Sequence, residues 1–441
     1  MTRFAHLTGI LALGLSLFAS ACASDDPSEP EGSPGDQSAT STVYTAALSH
    51  TLLMGTADNA EVIDWVPGTD RAVLISSKAR KVSLLEVSQG QLSLVDEVTL
   101  FNDDATESEL THVDVSTDGA WAALTRTILR TDADGAQTAC EGELVIIDIQ
   151  PGDDFGAVLG TVAVGAMPDS VTISDDDAWI ATADERDGPD AWGKCEVAGA
   201  EASVSLIDIS QGVESAQVVG TVRMVDAETG PREPEDLVFS SDGAKLVVTL
   251  QDSHEVAFID TAALVAAGEQ TTDDVTIITL PPNALGASPW PDGVARFTDA
   301  GGAEHYAVAG EWNDTLIVLD SAGAVVTNLS VALGDIPEAF PRVEDEGSPR
   351  FSPDSLSAFM HEGRAHLAVT LRHSGAVAIW DVSDAASPAF ATAIQVGQSE
   401  AGGADEDGST IRPEGVSTSP DGRFIITANE EESSVSLIEA L

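Results

Sequence analysis

The most regular feature of the chain is a unit of alternating apolar and polar positions that recurs along its length. The clearest copies are PDSVTISDDDAWIATADE from Pro168, PEDLVFSSDGAKLVVTLQD from Pro234, PDGVARFTDAGGAEHYAVAGE from Pro291 and PEGVSTSPDGRFIITANEE from Pro413. Each opens with proline and an acidic residue, continues as a short alternating strand, turns at a polar segment and returns as a more apolar strand. The segment from His112 repeats all but this opening, and weaker copies begin at Glu61 and Leu356.

A third strand with a similar ending follows each of these pairs. The endings are VSLLEV, LVIIDI, VSLIDI, VAFID, LIVLD, VAIWDV and VSLIEA, and a fourth apolar stretch often comes next. Four short strands in each of seven units are typical of a β-propeller. The sequence therefore predicts an all-β, seven-bladed propeller over residues 43–441, with no helix beyond one turn at TAALVAAG.

The two ends of the repeat region predict how the ring closes. The chain ends at Leu441, directly after the third strand of the last unit, so that blade lacks its fourth strand. An unassigned apolar stretch, VYTAALSHTLL, precedes the first unit. We expect this N-terminal strand to complete the last blade and to cover its exposed edge.

Composition changes the expected partners more than the expected fold. Hydrophobic residues make up 43% of the chain but aromatic residues only 5%, so the core must consist mainly of Val, Leu, Ile and Ala. Acidic residues number 74 and basic residues 19, a formal net charge of -55. Such a charge repels nucleic acid and excludes it as a partner. Solubility explains the charge in general; the alternative is that part of it gathers divalent cations.

The N-terminus predicts export and a lipid anchor. Arg3 precedes the apolar run LTGILALGLSLFA, which is too short to span a bilayer and resembles a secretory signal. The run ends in ASAC, which resembles a bacterial lipobox with Cys22 as the lipidated residue; an ordinary cleavage site is the alternative. We predict a signal peptide over 1–21 and a disordered acidic tether over 22–42. Because Ala23 is not aspartate, the sorting rule of such lipoproteins favours the outer membrane, with the lipid as the only membrane contact.

Several units resemble a known family. EPEDLVFSSDGAKLVVTLQDSHEVAFID from Glu233, RAHLAVTLRHSGAVAIWDVSD from Arg364 and PEGVSTSPDGRFIITANEEESSVSLIE from Pro413 resemble the propeller of choice-of-anchor I domain proteins, more specifically than the first three units do. More loosely, the repeats are similar to YVTN and lactonase-like bacterial propellers. The resemblance implies a seven-bladed fold and attachment to the cell surface, but no established reaction.

Candidate ligand-binding residues collect at one mouth of the predicted channel. In a propeller the first strand of each blade lines the channel, and the loops before it and after the second strand share one face. The proline–acid pairs therefore place Asp169, Glu235, Asp292 and Glu414 at the mouth, with Thr111 in the second blade. The second-strand ends add Asp184, Glu185, Gln251, Asp252, Glu311, Asn429 and Glu430 to this face, and Arg372 and His373 in the sixth blade.

The chemistry of these acids leaves two interpretations open. Asp169, Glu235, Asp292 and Glu414 could ligate Ca²⁺ or Mg²⁺ through hard oxygen atoms or bind a cationic ligand. Alternatively, each acid after a proline caps the backbone of its loop, a role that recurs because the blade recurs. Arg372 would then act as a counter-ion, which argues against a metal.

The two remaining cysteines are predicted to form a disulfide. Export favours oxidation, Cys140 and Cys195 each precede the third strand of their blade, and equivalent loops of adjacent blades are neighbours. The bond would close a loop of 55 residues, worth roughly 4 kcal/mol on the loop-entropy scale. Free thiols and metal ligation are the alternatives.

The sequence favours binding over catalysis. It contains no G-x-S-x-G elbow, H-E-x-x-H, P-loop or C-x-x-C-H motif. The leading hypothesis is a monomeric, lipid-anchored envelope module that binds a protein or a small cationic ligand through its acidic face. The alternative is a lactonase- or phosphoesterase-like hydrolase with a carboxylate or metal site at the channel mouth.

Overall fold

The structure is a computed structural model, and the part described covers most of the predicted propeller. The described residues are 44–55, 60–101, 107–186, 195, 197, 200–225, 227, 232–283, 286–329, 336–337, 340, 343–345, 348–398 and 410–441. The predicted signal peptide, Cys22 and the acidic tether lie outside these residues. Within the described residues, no helix is both long and apolar enough to cross a membrane.

The chain starts with β1 (Ala46–Leu53) and then forms three blades in succession. Blade 1 contains β2 (Ala60–Val66), β3 (Arg71–Ser76), β4 (Lys81–Ser88) and β5 (Gln91–Thr99). Blade 2 contains β6 (Glu107–Val115), β7 (Trp121–Thr131), β8 (Gln137–Asp148) and β9 (Val158–Val164). Blade 3 contains β10 (Pro168–Ile173), β11 (Trp179–Asp184), β12 (Ser203–Asp208) and β13 (Gln217–Arg223).

Blade 4 carries the one α-helix of the described residues, and three more blades follow it. The sheet of blade 4 contains β14 (Pro234–Phe239), β15 (Lys245–Leu250), β16 (Glu255–Asp260) and β18 (Thr276–Thr279); α1 (Thr261–Ala267) and β17 (Glu269–Thr271) lie between β16 and β18 in the chain. Blade 5 contains β19 (Pro291–Thr298), β20 (Glu304–Gly310), β21 (Thr315–Asp320) and β22 (Val325–Asn328). A hairpin of β23 (Val343–Asp345) and β24 (Ser348–Arg350) precedes blade 6, which contains β25 (Pro353–His361), β26 (Arg364–Leu371), β27 (Ala376–Asp381) and β28 (Ala389–Gln395). Blade 7 contains β29 (Pro413–Thr418), β30 (Phe424–Asn429) and β31 (Ser434–Ala440).

These elements confirm the predicted all-β, seven-bladed propeller. The strands of each blade pair antiparallel, and the first strand of every blade contacts the first strands of both neighbouring blades, which closes a ring around the channel. Seven apolar clusters fill the seven spaces between adjacent blades. Aliphatic side chains dominate these clusters because the second and third strands are buried on both faces.

The ring closes as predicted, with β1 as the fourth strand of blade 7. It pairs antiparallel with β31, from Ala46 opposite Ala440 to Leu53 opposite Ser434. Two backbone hydrogen bonds extend the pairing, from Met54 N–H to the Ser433 carbonyl at 2.9 Å and from Leu441 N–H to the Thr45 carbonyl at 2.8 Å. The outer edge of β31 is therefore covered.

One connection between blades was not predicted from the sequence. Strand β17 follows α1 of blade 4 but pairs in parallel with β13, the outer strand of blade 3. Leu264 of α1 packs so closely on Gly220 of β13 that a Cβ at this glycine would lie 2.6 Å from Leu264 Cγ. The helix and β17 thus fasten blade 4 to blade 3 on the outside of the ring.

The first strand of every blade contains a β-bulge near its start. The pairing register shifts between the opening residue and a position two or three residues later, for example between Pro234 and Leu237 and between Pro413 and Val416. At a β-bulge the extra residue interrupts the alternation of side chains between the two faces of the sheet, so its own side chain points in a different direction. This residue follows the opening proline, and it is the acid in the repeated proline–acid pair.

Candidate binding site at the channel mouth

The residue after the opening position of each first strand is here called the mouth residue. The seven mouth residues are Glu61, Thr111, Asp169, Glu235, Asp292, Asp354 and Glu414. Six of the seven are acidic, two more than the sequence analysis had assigned. Glu61 was missed because no proline precedes it. Asp354 does follow a proline, Pro353, but it was missed because the weak copy of the unit was started at Leu356.

The first residue after each second strand is here called the rim residue. In five blades its N–H donates a hydrogen bond to the carbonyl of the residue just before the opening proline, which places it beside the mouth. These rim residues are Glu185, Gln251, Glu311, Arg372 and Glu430, with N···O distances of 2.8 to 3.0 Å. Mouth and rim residues therefore occupy equivalent places in successive blades.

Arg372 binds three of these acids at once. Its Nη1 lies 2.9 Å from Glu311 Oε1 and 3.4 Å from Asp354 Oδ2, and its Nη2 lies 2.6 Å from Glu414 Oε1. Burial would lower the pKa of Arg372, but Glu414 and the neighbouring carboxylates raise it well above its ordinary value. The guanidinium group is therefore a fixed counter-ion on the side of the mouth formed by blades 5, 6 and 7.

A second arginine extends this ion-pair network. Arg412, which precedes the opening proline of blade 7, lies 3.4 Å from Glu414 and 3.6 Å from Glu430 through its guanidinium nitrogens. Burial alone would raise the pKa of Glu430, but Arg412 holds it below the ordinary value. Two cations thus contact the acids of blade 7, although burial still raises the pKa of Glu414 well above its ordinary value.

Four other mouth acids, one of which Arg372 also contacts, have raised pKa values. Burial is the largest cause that raises the pKa of Glu61, Glu235, Asp292 and Asp354 well above the ordinary values. Neighbouring carboxylates raise them further, whereas Arg372 partly lowers the pKa values of Glu61, Asp292 and Asp354. These groups favour protonation or a bound cation.

One set of acids has the spacing of a metal site. An oxygen from each of Asp292, Glu311 and Asp354 lies within 4.8 Å of the other two, and no other such set of three occurs among the described residues. Of the four acids predicted as metal ligands, only Asp292 belongs to it; Asp169, Glu235 and Glu414 do not. Because Arg372 already contacts Glu311 and Asp354, a metal ion would have to displace its guanidinium group.

Glu235 has a different environment from the acids near Arg372. Glu235 is 9% exposed, and it forms no hydrogen bond or ion pair with the described residues. After burial, the charges of Glu185, Asp169 and Asp292 are the main causes that raise its pKa. Glu235 therefore differs from Glu414, whose carboxylate contacts the guanidinium groups of Arg372 and Arg412.

Asn429 lies inside its blade, away from the mouth acids. It is fully buried; Thr427 donates to its Oδ1 at 3.0 Å, and its Nδ2 donates to Ser434 and Ser436 at 2.9 and 3.0 Å. Asp184 occupies the same place in blade 3 with an equivalent cage of hydroxyl groups. Both side chains already use their polar atoms within the blade.

Deeper in the channel, other carboxylates join the inner strands. Asp64 accepts a hydrogen bond from Val115 N–H at 3.0 Å, Asp114 from Ile173 N–H at 2.6 Å and Asp236 from Val294 N–H at 2.8 Å. Each bond runs from one blade to the next, so these acids hold the ring together. His112 faces Asp64 and Asp236, and burial lowers its pKa despite these charges.

The predicted disulfide joins blades 2 and 3. Cys140 and Cys195 are bonded, with 5.8 Å between their Cα atoms. Cys140 lies within β8 rather than before it, because β7 and β8 extend beyond the usual length of their blade. Leu129 and Met167 pack against the disulfide, so the disulfide and this apolar cluster together hold blades 2 and 3 against each other.

Comparisons with known proteins agree with this architecture. The choice-of-anchor I domain matches residues 61–268, which are blades 1 to 3 and the first part of blade 4, slightly less than half of the chain. This match confirms the resemblance, although over the earlier units rather than the later ones. No curated protein matches the chain in sequence.

Solved structures share the fold at low identity. The hydrazine synthase of Kuenenia stuttgartiensis is similar with a TM-score of 0.52 and 17% identity, over 87% of this chain and 96% of that one. The Cps50 (Swd1) β-propeller domain of Myceliophteria thermophila has a TM-score of 0.52 and 10% identity, over 90% and 100%. A chain of the mitotic checkpoint complex has a TM-score of 0.52 and 15% identity, over 95% and 98%. At such identities the likeness concerns the fold alone.

Proposed function

We propose that the protein is an exported, lipid-anchored binding module that takes a positively charged ligand at the acidic mouth of its propeller. The observation that carries the proposal is the convergence of six acidic mouth residues, for which the described residues supply two arginines as close counter-ions. Buried carboxylates that crowd one another gain free energy when a cation joins them. The choice-of-anchor I domain supports a cell-surface or exported location.

The binding proposal is tested by thermal denaturation of the purified full-length protein at pH 8 and fixed ionic strength. Calcium, magnesium and small organic ammonium and guanidinium salts are compared with sodium chloride. We expect at least one cation to raise Tm in a saturable manner; a ligand at 100 times its Kd adds about 2.7 kcal/mol to the free energy of unfolding. If no cation exceeds sodium chloride, the proposal is wrong.

The location of the site is tested by replacing Glu235 and Glu414 together with glutamine. The double variant should lose most of the cation-induced rise in Tm, because both acids lie at the mouth. The matched control replaces the exposed Glu214 and Glu269 with glutamine, which removes the same charge elsewhere. An unchanged cation effect in the mouth variant would place the ligand at another surface.

The anchor is tested separately at Cys22. The Cys22→Ala variant should lose incorporation of labelled fatty acid and should move from the membrane fraction to the soluble fraction of the envelope. The control is the Cys140→Ser/Cys195→Ser variant, which should keep the lipid label. Equal labelling of the wild type and Cys22→Ala would contradict the lipid anchor.

One observation favours a second candidate function. The oxygens of Asp292, Glu311 and Asp354 are close enough to share a metal ion, which a lactonase- or phosphoesterase-like hydrolase would use to polarise its substrate. The test is hydrolysis of lactones and phosphate monoesters with added calcium, magnesium or manganese. Hydrolysis by the wild type that is lost in the Asp354→Asn variant would support the hydrolase. If the wild type hydrolyses none of these substrates with or without added metal, this candidate function is rejected.

A further inference from the structure

Tyr44, which precedes the closing strand β1, packs between blades 6 and 7 on the side of the ring opposite the mouth. It is 5% exposed. Its ring centre lies 5.4 Å from that of Phe359, 5.1 Å from that of His361 and 5.0 Å from that of His366, all in blade 6. Its hydroxyl group donates a hydrogen bond of 3.4 Å to the Gly422 carbonyl in a turn of blade 7. Tyr44 therefore fixes the N-terminal end of β1 to both blades.

Blade 5 contains the same pairing of phenylalanine and histidine as blade 6. In each blade a phenylalanine near the end of the first strand stacks on the histidine opposite it in the second strand. In blade 5 the rings of Phe297 and His305 are 5.4 Å apart, and in blade 6 the rings of Phe359 and His366 are 5.2 Å apart. The two hairpins can therefore be compared position by position.

The two blades differ at the position two residues after this phenylalanine. In blade 5 it is Asp299, whose Oδ2 lies 3.0 Å from Nε2 of His305. In blade 6 it is His361, whose ring centre lies 6.5 Å from that of His366 and whose buried Nδ1 has no hydrogen-bond partner in the part of the chain described. A protonated His305 therefore meets a carboxylate, whereas a protonated His366 meets a second imidazole and the ring of Tyr44.

The surroundings of His366 disfavour its protonated form. It is 2% exposed, and its Nδ1 lies 3.1 Å from the Arg364 carbonyl. Burial is the main cause that lowers the pKa of His366, and Asp381 opposes this only in part, because its carboxylate also forms an ion pair with Arg364. The titratable and charged groups on the elements packed around this cluster are Tyr44, His361, Glu362, Arg364, Asp381, Asp421 and Arg423.

We propose that Tyr44, His361 and His366 form an acid-sensitive latch, which holds the start of β1 at neutral pH and loosens it when His366 takes up a proton. A histidine whose pKa is lower in the folded than in the unfolded state stabilises the fold above about pH 6.5, and this contribution is lost as the pH falls below that value. Because β1 is the fourth strand of blade 7, closure of the ring then depends on acidity. The inference does not depend on the ligand proposed for the mouth.

The test is backbone hydrogen exchange of the full-length protein at pH 7.5 and pH 5, measured by mass spectrometry and corrected for the intrinsic effect of pH on exchange. In the wild type, the protection of β1 should fall by about threefold or more at pH 5. Strand β9, the outer strand of blade 2, is the comparison and should keep its protection. No loss in β1, or an equal loss in β1 and β9, would overturn the inference.

Two variants assign the effect to the histidines. His361→Asp gives blade 6 the carboxylate that blade 5 has in Asp299, so the acid-induced loss of protection in β1 should disappear. His366→Gln removes the titrating group and should have the same result. The matched control His305→Gln removes a buried histidine from blade 5 and should leave the loss in β1 unchanged. A loss that persists in both latch variants would come from other groups and would reject the latch.

The ionisation of His366 can also be measured without any change to the latch. The imidazole signals of the wild type are followed by NMR from pH 8 to pH 5, and His366→Gln identifies the signal. Its midpoint should lie below that of an exposed histidine such as the one in a short peptide. A midpoint at or above the peptide value would contradict the proposal. If His366→Gln does not fold, the exchange of β1 in His361→Asp decides the question.

Discussion

At one end of the first strands, Glu235, Asp292 and Asp354 face one another; at the other end, aspartates sit in the turns that lead to the second strands. The turn aspartates are Asp118, Asp176, Asp242 and Asp421, and each accepts a hydrogen bond from the serine two residues earlier at 2.7 to 2.9 Å. They also accept from backbone N–H groups, as Asp421 does from Arg423 at 3.1 Å.

The pKa of an aspartate is therefore shifted in opposite directions at the two ends of the first strands. The serine hydroxyl is the largest cause that lowers the pKa of Asp242 and Asp421, whereas burial raises the pKa of Asp292 and Asp354. A repeated acid with local donors stabilises its turn. A repeated acid that meets other buried acids instead has its pKa raised.

The largest expected effect follows removal of the cation that the mouth already has. Arg372→Met should lower the free energy of unfolding by about 3–5 kcal/mol at pH 8, because it leaves buried acids uncompensated. The loss should shrink at pH 5, where those acids take up protons. Urea denaturation at both pH values measures it. The control Arg71→Met breaks a half-exposed pair with Glu86 and should cost less than about 1 kcal/mol; equal losses would contradict the comparison.

The next effect tests whether hydrogen bonds alone can compensate a buried acid. Asp184 accepts bonds from Thr182, Ser203 and Ser205, yet burial raises its pKa to about 6 from 3.8. A raised pKa in the folded state favours folding at low pH, and this contribution is lost as the pH rises through about 6. Asp184→Asn should therefore add up to about 3 kcal/mol of stability at pH 8 and little at pH 4.

The equivalent position in blade 7 is an asparagine, so the reverse substitution can be made there as a control. Asn429→Asp places a carboxyl in the equivalent cage of Thr427, Ser434 and Ser436. It should destabilise the protein at pH 8 by a similar amount and approach the wild type at pH 4. Denaturation curves that do not change with pH in either variant would show that the cages compensate the charge fully.

The smallest effect concerns the turns. Asp421→Asn should lower stability by less than about 1 kcal/mol at pH 7, because the Asp421 side chain is exposed and its hydrogen bond with Ser419 is only partly buried. Its pKa is lowered in the folded state, so this contribution exists above the ordinary aspartate pKa and disappears as the pH falls below it. Thermal denaturation at pH 7 and pH 3 checks the sign; a gain in stability at pH 7 would remove the distinction between turn and mouth acids.

The sequence predicted the repeat and its closure because both depend on local patterning. Alternating strands, the third-strand endings and the apolar segment before the first unit were sufficient to place seven blades and β1. The cysteine pairing followed from equivalent loops of neighbouring blades. The parallel pairing of β17 could not be predicted, because three residues carry no pattern of their own.

The mouth was predicted only in part. The proline–acid pairs identified Asp169, Glu235, Asp292 and Glu414. The bulges that bring Glu61 and Asp354 to equivalent places depend on strand pairing, which the alternation of apolar and polar residues does not predict. Asn429 was expected beside them because it ends a second strand; the structure buries it, since its side chain points into its own blade. The difference between the Arg372 and Gln251 positions appears only when the blades are superimposed by their backbone hydrogen bonds.

Strand β1 also has a consequence for the order of folding. Strand β1 pairs with β31, so Ala46 meets Ala440 only after all the intervening residues have been synthesised. Such a long sequence separation makes closure entropically late and slow compared with hairpins formed inside a blade. Until β31 is in place, β1 has no partner strand, and an unpaired strand edge of this kind can pair with another copy of the chain.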